Sequence, residues 1–242
     1  MSAVGLIPAR FAATRFPGKP LARIAGKPMI QHVWEGAREA KRLRDVLVVT
    51  EDERIVRACS EFGARAVLTS PHHATGTDRL AEAAAQLSDE IVVNVQGDEP
   101  LVRGFVIDAV VDALAAAPDA PMSTAVHEAD PEGLDDPNRV KAVLDRHGRA
   151  LWFSRATIPY LRNADARPDY WQHVGLYGYR RSFLLDFVRL PQTPAERAEG
   201  LEQLRALEHG FTIVAAVVAG FRSIPVDVPE DVARVEAALR RT

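Results

Sequence analysis

The chain has 242 residues, of which 47% are hydrophobic and 26% charged, a globular balance without the signature of disorder. This length allows one large α/β domain or two small ones. The formal net charge of −3 argues against general binding to nucleic acid, which needs an excess of Lys and Arg. Any functional cations must therefore be concentrated locally.

Cysteine usage and hydropathy indicate the compartment. Cys59 is the single cysteine, so no internal disulfide can form, and its place on an apolar helical face predicts a buried structural thiol. The N-terminus lacks the charged and apolar regions of a signal peptide, and the apolar tract 213–220 is far too short to span a membrane. We expect a soluble protein of the reducing cytoplasm, without membrane insertion.

The first half of the chain alternates short apolar strands with helical patterns. The predicted strands are 4–7, 46–50, 66–68 and 91–95, and the predicted helices are 29–37, 52–62, 77–87 and 103–116. Buried parallel strands with helices between them imply right-handed crossovers. The fold class is therefore α/β, as a three-layer α/β/α sandwich.

The second half changes character. Its predicted strands, 122–126, 140–144, 150–153 and 174–179, are joined by loops, so part of the sheet should be mixed. Helices are predicted at 181–189 and 195–209, then a strand at 212–218 and a terminal helix that begins near Pro229. We predict a single domain over 1–242, with a smaller subdomain within about 122–210.

The loop after the first strand carries Arg10, Arg15 and Lys19 within ten residues. Ligands of α/β sheets gather outside the carboxyl ends of the strands, and several cations suit a polyphosphate. A solvated basic loop explains the same charges. Both interpretations stay open on charge spacing alone.

Two aspartates are candidate Mg²⁺ ligands. Asp98 follows the apolar strand 91–95 in a Gln-Gly-Asp-Glu-Pro turn, and Asp227 lies between a short apolar run and the terminal helix. Mg²⁺ prefers one or two carboxylates together with waters and phosphate oxygens. The alternatives are an exposed turn residue at Asp98 and a helix N-cap at Asp227.

A further segment, Gly76-Thr77-Asp78-Arg79, opens the third predicted helix. Its free backbone N–H groups could receive a nucleobase or ribose, although a simple helix start explains the same residues. The G-x-G-x-x-G, G-x-x-x-x-G-K-[ST], H-E-x-x-H and G-x-S-x-G motifs are absent from the sequence. Their absence argues against dehydrogenases, P-loop proteins, zinc hydrolases and serine hydrolases.

These segments together resemble the family of 3-deoxy-manno-octulosonate (Kdo) cytidylyltransferases over nearly the whole chain. The resemblance is carried by the blocks 7–10, 14–21, 26–30, 76–79, 94–100, 153–159, 173–177, 201–205 and 226–231. It implies a Rossmann-like nucleotidyltransferase fold and Mg²⁺-dependent transfer of CMP from CTP to Kdo, for lipopolysaccharide biosynthesis. Val228 departs from the family pattern, which usually has Thr there, and so removes a hydroxyl beside Asp227.

The resemblance also implies roles for individual residues. Asp98 and Asp227 would hold the metal and, with Lys19 and Arg10, form the catalytic set. The nucleotide-binding residues would be Ala9, Arg10, Arg15, Lys19, Gly76, Thr77, Arg79 and Gln96. The sugar pocket would be lined by Gln96, Arg155, His173, Tyr177, Glu202 and Gln203, with Arg155 as the partner of the sugar carboxylate.

Two other functions and an oligomeric state complete the expectations. A cytidylyltransferase for a related acid, such as 8-amino-Kdo or a nine-carbon acid, would share the nucleotide half. A non-catalytic nucleotide sensor is the alternative of a different class, although it would need no metal at the α-phosphate. The resemblance implies a homodimer, and Tyr170 and Trp171 are aromatic residues of the kind enriched at interfaces, with burial in their own subdomain as the other interpretation.

Overall fold

The structure is a computed structural model, and it describes residues 1–12 and 16–240. Its strands and helices follow the predicted order. The strands are β1 (Ala3–Ala9), β2 (Arg23–Ile24), β3 (Lys27–Pro28), β4 (Asp45–Thr50), β5 (Arg65–Leu68), β6 (Ile91–Val95), β7 (Met122–Glu128), β8 (Lys141–Leu144), β9 (Ala150–Ser154), β10 (Trp171–Arg180) and β11 (Ile213–Val217). The helices are α1 (Met29–Arg38), α2 (Glu53–Glu61), α3 (Gly76–Ala85), α4 (Gly104–Ala116), α5 (Arg181–Phe187), α6 (Pro194–Glu199), α7 (Gln203–Glu208) and α8 (Asp231–Leu239).

The main sheet is mixed, as predicted. Its strand order is β11-β7-β10-β6-β1-β4-β5, and β8 joins β10 to β9. Strands β6, β1, β4 and β5 are parallel, whereas β10 runs antiparallel to both β6 and β7. The carboxyl ends of β1 and β6 therefore lie side by side at one edge of the sheet.

Alternating side chains of the central strands bury against helices on opposite faces. In β1, Ala3 and Ile7 pack with α1, α2 and α4, whereas Val4 and Leu6 pack with α3, α5 and α7. This two-residue period is the expected result of the β pleat. The three-layer α/β/α fold predicted from the sequence is confirmed.

Three expectations about local structure had different outcomes. The helix predicted at 195–209 is two helices, α6 and α7, because Gly200 has a left-handed φ of 61° that ends α6. The terminal helix begins at Asp231, two residues later than its Pro229 signal indicates. Cys59 is fully buried, as predicted, and burial raises the pKa of its thiol to about 11.

Two glycines let α1 and the start of α4 approach closely. A Cβ added at Gly36 would lie 2.1 Å from the Val102 carbonyl oxygen, and one added at Gly104 would lie 2.4 Å from the backbone of Glu39 and Ala40. Such contacts are far inside van der Waals distance, so both positions require glycine. No helix in the described part of the chain is long and apolar enough to cross a membrane.

The Gly104→Ala variant tests this helix contact. The added methyl group must push α4 away from α1, and overpacking of this kind costs about 1–3 kcal/mol of unfolding free energy. We expect calorimetry to show a fall in Tm of several degrees, because each 1 kcal/mol of lost stability lowers the Tm of a chain of this length by about 2–4 °C. Ala115→Ser, on the exposed side of α4, is the control, and equal Tm values for the two variants would contradict the close contact.

Candidate active site

Two adjoining clefts open at the carboxyl edge of β1 and β6. The smaller one, of about 170 Å³, is lined by Pro8, Ala9, Arg10, Lys19, Pro20, Gly76, Arg79, Gln96, Gly97 and Asp98. The larger one, of about 530 Å³, is lined by His173, Tyr177, Glu202, Gln203 and residues of several loops. Gln96 and Asp98 line both clefts, so the turn after β6 forms their junction.

Lys19 joins the two predicted metal ligands at this junction. Its Nζ lies 3.0 Å from Asp98 Oδ2 and 3.9 Å from Asp227 Oδ1, and it donates a hydrogen bond of 2.9 Å to the Val226 carbonyl. The two carboxylates come from positions far apart in the chain. Asp98 is therefore part of a charged cluster at the junction of the two clefts.

The turn that carries Asp98 is pressed against β1. A Cβ at Gly97 would lie 2.6 Å from the Pro8 carbonyl oxygen, so a side chain at this position would separate the two strand ends. The glycine thereby keeps the loop that begins at Arg10 close to the Asp98 carboxylate.

Asp227 is held by the start of α8. The N-cap of that helix is Glu230, so the alternative role of Asp227 as an N-cap is wrong. The Asp231 carboxylate accepts hydrogen bonds from the backbone N–H groups of Asp227, at 2.9 Å, and Val228, at 3.1 Å. These two hydrogen bonds stabilise the turn that carries Asp227, although Val228 has no hydroxyl group.

The carboxylate pair suits Mg²⁺ rather than a metal held entirely by protein. Among the described residues, no group of three or more His, Cys, Asp or Glu side chains could hold a metal. Two partly exposed carboxylates, 30% exposed at Asp98 and 44% at Asp227, leave room for waters and phosphate oxygens. This donor set is the one that Mg²⁺ prefers when it accompanies a phosphate substrate.

Cations and backbone carbonyls shape the smaller cleft. The Arg10 guanidinium donates hydrogen bonds to the carbonyls of His73 and of Ala74, the latter at 2.8 Å, and so joins the first loop to the segment before α3. Arg79 is 1% exposed and lies 2.8 Å from Glu51 Oε2; burial lowers the pKa of its guanidinium. Arg15 lies outside the described residues.

The start of α3 connects the two clefts. Thr75 and Asp78 form a capping box, with hydrogen bonds of 3.1 and 2.9 Å, which supports the interpretation of this segment as a helix start. Thr77, which the family resemblance assigns to the nucleotide, is not among the residues that line the smaller cleft, and its hydroxyl donates a 2.5 Å hydrogen bond to Glu202 Oε2. Glu202 lines the larger cleft, so this bond joins that cleft to the start of α3, where Gly76 lines the smaller one.

A buried ion pair between Arg205 and Glu196 lies next to Glu202. Arg205 is bound by both carboxylate oxygens of Glu196, at 2.9 and 2.5 Å, and lies 3.4 Å from Glu202 Oε1. Arg205 and Glu196 are each about 5% exposed. Burial raises the pKa of the Glu202 carboxyl, whereas Thr77 and Arg205 oppose the rise.

The other predicted sugar residues also line the larger cleft. The Thr124 hydroxyl donates to the Leu176 carbonyl at 2.8 Å and therefore accepts from His173 Nε2, also at 2.8 Å. Burial lowers the pKa of His173 to about 3, so its ring is neutral at physiological pH and its Nδ1 is an acceptor. The Tyr177 hydroxyl donates to Gln203 Oε1 at 3.1 Å, and burial raises its pKa.

Three of the described residues that line the larger cleft have a buried polar atom without a hydrogen-bond partner. In the described part of the chain, Gln203 Nε2, His127 Nε2 and Glu99 Oε2 are buried without a hydrogen-bond partner, and all three residues line this cleft. A buried polar group without a partner costs about 1–3 kcal/mol. A ligand with many hydroxyls would supply the missing donors and acceptors.

Arg155 is the exception among the predicted sugar residues. Its Nε donates to the Glu199 carbonyl at 2.6 Å, its Nη1 to the Pro137 carbonyl at 2.9 Å and its Nη2 to the Gly200 carbonyl at 3.5 Å. It is not among the residues that line the larger cleft. The guanidinium joins two loops of the cleft wall, so its assignment to a sugar carboxylate is not supported by the structure.

The larger cleft also contains charged and polar residues that the sequence did not single out, among them His127, Arg139 and Arg222, together with the acidic Asp130 and Asp136. They belong to the end of β7, the loop before β8 and the segment after β11. No local motif connects these three segments. Only their positions in the folded chain bring them to one cleft.

Comparison with known proteins adds independent information. A family described as "Cytidylyltransferase" matches residues 4–224. The chain is 50% identical to the 3-deoxy-manno-octulosonate cytidylyltransferase of Solibacter usitatus, over 96% of this chain and 92% of the relative, and 52% identical to that of Pseudomonas fluorescens, over 97% and 96%. The fold is also similar to a solved structure of CMP:2-keto-3-deoxy-manno-octonic acid synthetase complexed with CTP. The two superimpose with a TM-score of 0.94 at 40% identity, and the match covers 100% of this chain and 99% of the synthetase chain.

Arg155→Met tests whether this guanidinium stabilises the cleft wall. We expect the free energy of unfolding in urea to fall by about 1–3 kcal/mol, because two or three backbone carbonyls lose their donor. Arg162→Met, at an exposed position of the following loop, is the matched control and should change stability by less than about 0.5 kcal/mol. Equal stability of the two variants would show that Arg155 is not needed to hold these loops.

Proposed function

The chain belongs to the 3-deoxy-manno-octulosonate cytidylyltransferase family, and from this membership we propose that it transfers CMP from CTP to the anomeric hydroxyl of Kdo and releases pyrophosphate. Family members at about half identity over nearly the full length are enzymes of the nucleotidyltransferase class. The observation that supports the assignment best is the junction of the two clefts at Gln96 and Asp98.

The smaller cleft is the proposed CTP site. Arg10 and Lys19 are its cations at the end of β1, where a triphosphate would gain charge neutralisation from two directions. The backbone at Ala9 and Gly76 can approach the ligand closely, and Arg79 would lie toward the base. Arg15 is proposed as a third phosphate ligand on the family resemblance alone.

The larger cleft is the proposed Kdo site. Glu202 and the neutral ring of His173 offer acceptors to sugar hydroxyls, and the unpartnered Gln203 amide offers a donor. Gln96, at the junction, would contact both substrates. The bond between Thr77 and Glu202 would keep the sugar site in fixed register with the start of α3.

Catalysis would consist mainly of positioning and charge neutralisation. The anomeric hydroxyl must attack the α-phosphorus in line while pyrophosphate leaves from the opposite side. Asp98 and Asp227 would hold Mg²⁺, which when bound lowers the pKa of a coordinated hydroxyl and neutralises phosphate charge. Lys19, which contacts both carboxylates, is near enough to exchange them for a phosphate oxygen.

Two finer assignments follow from the family resemblance. CMP-Kdo would serve lipopolysaccharide biosynthesis. A cytoplasmic location is proposed because the single cysteine excludes an internal disulfide.

A cytidylyltransferase for 8-amino-Kdo or a nine-carbon acid is the second candidate function, since the CTP site would be the same.

We also propose a homodimer, through a surface other than that of Tyr170 and Trp171. Trp171 packs against the core and the Tyr170 hydroxyl donates to the Pro159 carbonyl at 3.1 Å, which favours their burial within the chain. In contrast, β9 is an edge strand in the described sheet, with Leu151 58% and Trp152 37% exposed. Tyr160 and Leu161 follow it and are also exposed, and exposed apolar edges are typical of interfaces.

A pyrophosphate-release assay with CTP, Mg²⁺ and a panel of sugars tests the activity. We expect turnover with Kdo and none with glucose 1-phosphate, whichever nucleoside triphosphate is supplied. Faster turnover with 8-amino-Kdo or a nine-carbon acid would support the second candidate. Coupling of UTP or dTTP to a hexose phosphate at a comparable rate would contradict the proposal.

Asp98→Asn in the same assay tests the catalytic centre. The change removes the charge of the proposed metal ligand but keeps its shape, so we expect kcat to fall at least about a hundredfold. Such a fall corresponds to about 2.8 kcal/mol of activation free energy, since each 1.4 kcal/mol is a factor of ten. Asp112→Asn, at an exposed position of α4, is the control. Near-normal turnover of Asp98→Asn at saturating Mg²⁺ would exclude Asp98 as a ligand.

Light scattering tests the dimer. We expect twice the 26.5 kDa chain mass at micromolar concentration, and a shift to the monomer for Trp152→Glu because a carboxylate would be buried at the interface. Phe105→Glu, at an aromatic residue that is 48% exposed on α4, should remain dimeric. A monomeric wild-type protein would exclude the interface.

A further inference from the structure

Helix α8 packs on a small apolar cluster, here called the α8 cluster. Its fully buried members are Ile24, Met29, Val226 and Val235, and Phe16, Leu101, Ile224, Val232 and Leu239 pack partly against them. In the described part of the chain, this cluster shares no residue with the two clusters that cover the faces of the main sheet. The position of α8 is therefore set by a few side chains of its own.

Val226 links the α8 cluster directly to the proposed metal centre. Its side chain belongs to the cluster. Its backbone N–H donates to the Asp98 carbonyl at 2.9 Å, and its carbonyl accepts from Lys19 Nζ, also at 2.9 Å. Asp227 is the next residue. A shift of the Val226 side chain would therefore disturb the backbone contacts that support all three charged residues.

The β2–β3 hairpin packs on the same cluster and follows Lys19 closely. The Lys19 carbonyl accepts from the Ala22 N–H at 3.1 Å, and the Ala22 carbonyl accepts from the Met29 N–H at 2.8 Å. Ile24 of β2 and Met29 of α1 are two of the fully buried members of the cluster. Lys19 and Asp227 are thus supported by one group of apolar side chains.

Asp98 and Asp227 are fixed to different parts of the molecule. Asp98 lies in the turn that Gly97 keeps against β1, whereas the backbone N–H of Asp227 donates to Asp231 in the first turn of α8. Mg²⁺ demands a nearly ideal octahedral shell of oxygens and tolerates little distortion. The placement of α8 relative to the sheet therefore decides whether the two carboxylates can act together.

A polar contact fixes α8 to the tip of the hairpin. The Ala25 N–H donates to Glu236 Oε1 at 2.9 Å. Ala25 and Gly26 form the two-residue turn between β2 and β3, with φ values of 47° and 84°, as a type I′ turn requires. Alanine adopts a positive φ less readily than glycine. The Glu236 carboxylate thereby stabilises both the turn and the docked helix.

We propose that Val235 and Glu236 are positioning residues for the metal centre, because they hold α8 on the β2–β3 hairpin and α8 in turn holds Asp227 beside Lys19 and Asp98. The proposal rests on the proposed function, in which both aspartates are metal ligands. Neither residue is among those that line the two clefts. Their effect must therefore pass through α8 and Val226.

Binding of Mn²⁺ to the nucleotide-free protein, followed by electron paramagnetic resonance, tests the proposal without turnover. Val235→Ala removes buried methyl groups from the cluster, so we expect the dissociation constant to rise about three- to tenfold, the range for a residue that acts through packed neighbours. Val110→Ala, the same change at a fully buried position of α4, is the matched control and should keep the wild-type value. An equal rise in both variants would indicate a general loss of stability and would overturn the proposal.

Glu236→Ala and Glu236→Gln test the polar contact. The glutamine side-chain carbonyl can still accept from the Ala25 N–H, so Glu236→Gln should bind Mn²⁺ nearly as the wild type does. Glu236→Ala should show a rise of at least about threefold in the dissociation constant. Glu61→Ala, at an exposed position of α2, is the control for the lost charge. Equal affinities of the two Glu236 variants would overturn the role of Glu236.

Hydrogen exchange of the segment around Asp227 tests the structural link itself. The Val226 and Val228 N–H groups donate to the Asp98 carbonyl and the Asp231 carboxylate. In Val235→Ala and Glu236→Ala both should exchange about three- to tenfold faster than in the wild type. Unchanged exchange in both variants would overturn the proposal. Absence of Mn²⁺ binding by the wild-type protein would contradict the proposed metal centre, whereas wild-type binding that neither variant weakens would overturn only this inference.

Discussion

The site depends on one electrostatic arrangement, in which a single ammonium group holds two carboxylates from distant parts of the chain. Lys19 contacts Asp98 and Asp227, and the backbone carbonyl of Val226 fixes its amine. Without the cation, the two carboxylates would repel each other at the sheet edge. A divalent metal offers the same neutralisation with more charge. The arrangement therefore suits a centre at which metal and phosphate bind together.

The larger cleft is braced by buried contacts on the side away from Asp98 and Asp227. The buried pair of Glu196 and Arg205 supports Glu202, whose other oxygen is bound by Thr77. Breaking such a buried pair leaves an uncompensated charge, which is strongly unfavourable. The β8–β10 side of the cleft is joined instead by Lys141 and Arg155, which donate to loop carbonyls. Gln203, His127 and Glu99, three described residues with an unpartnered buried polar atom, all line this cleft.

Much of this architecture could be predicted from the sequence. The strands β1, β4 and β6 are short apolar runs whose burial on both faces leaves little ambiguity, and the helices between them require parallel pairing. The break between α6 and α7 was missed because Gly200 looks like a tolerated glycine until its left-handed φ is known. For the candidate site, Lys19 and Asp98 could be singled out because each belongs to a continuous motif in which charged residues follow a predicted strand.

The roles of side chains whose partners lie elsewhere in the chain became clear only from the folded structure. From the amino-acid sequence alone, the fold class and the family resemblance could be established, and Arg10, Lys19, Asp98 and Asp227 could be named as candidates. The sequence assigned Arg155 to the sugar, whereas the fold directs that guanidinium to backbone carbonyls. It gave no sign of His127, Arg139 or Arg222, which come from three separate segments. Local residue patterns report how a segment folds, but the direction of a long charged side chain depends on distant groups, and those are brought together only by packing.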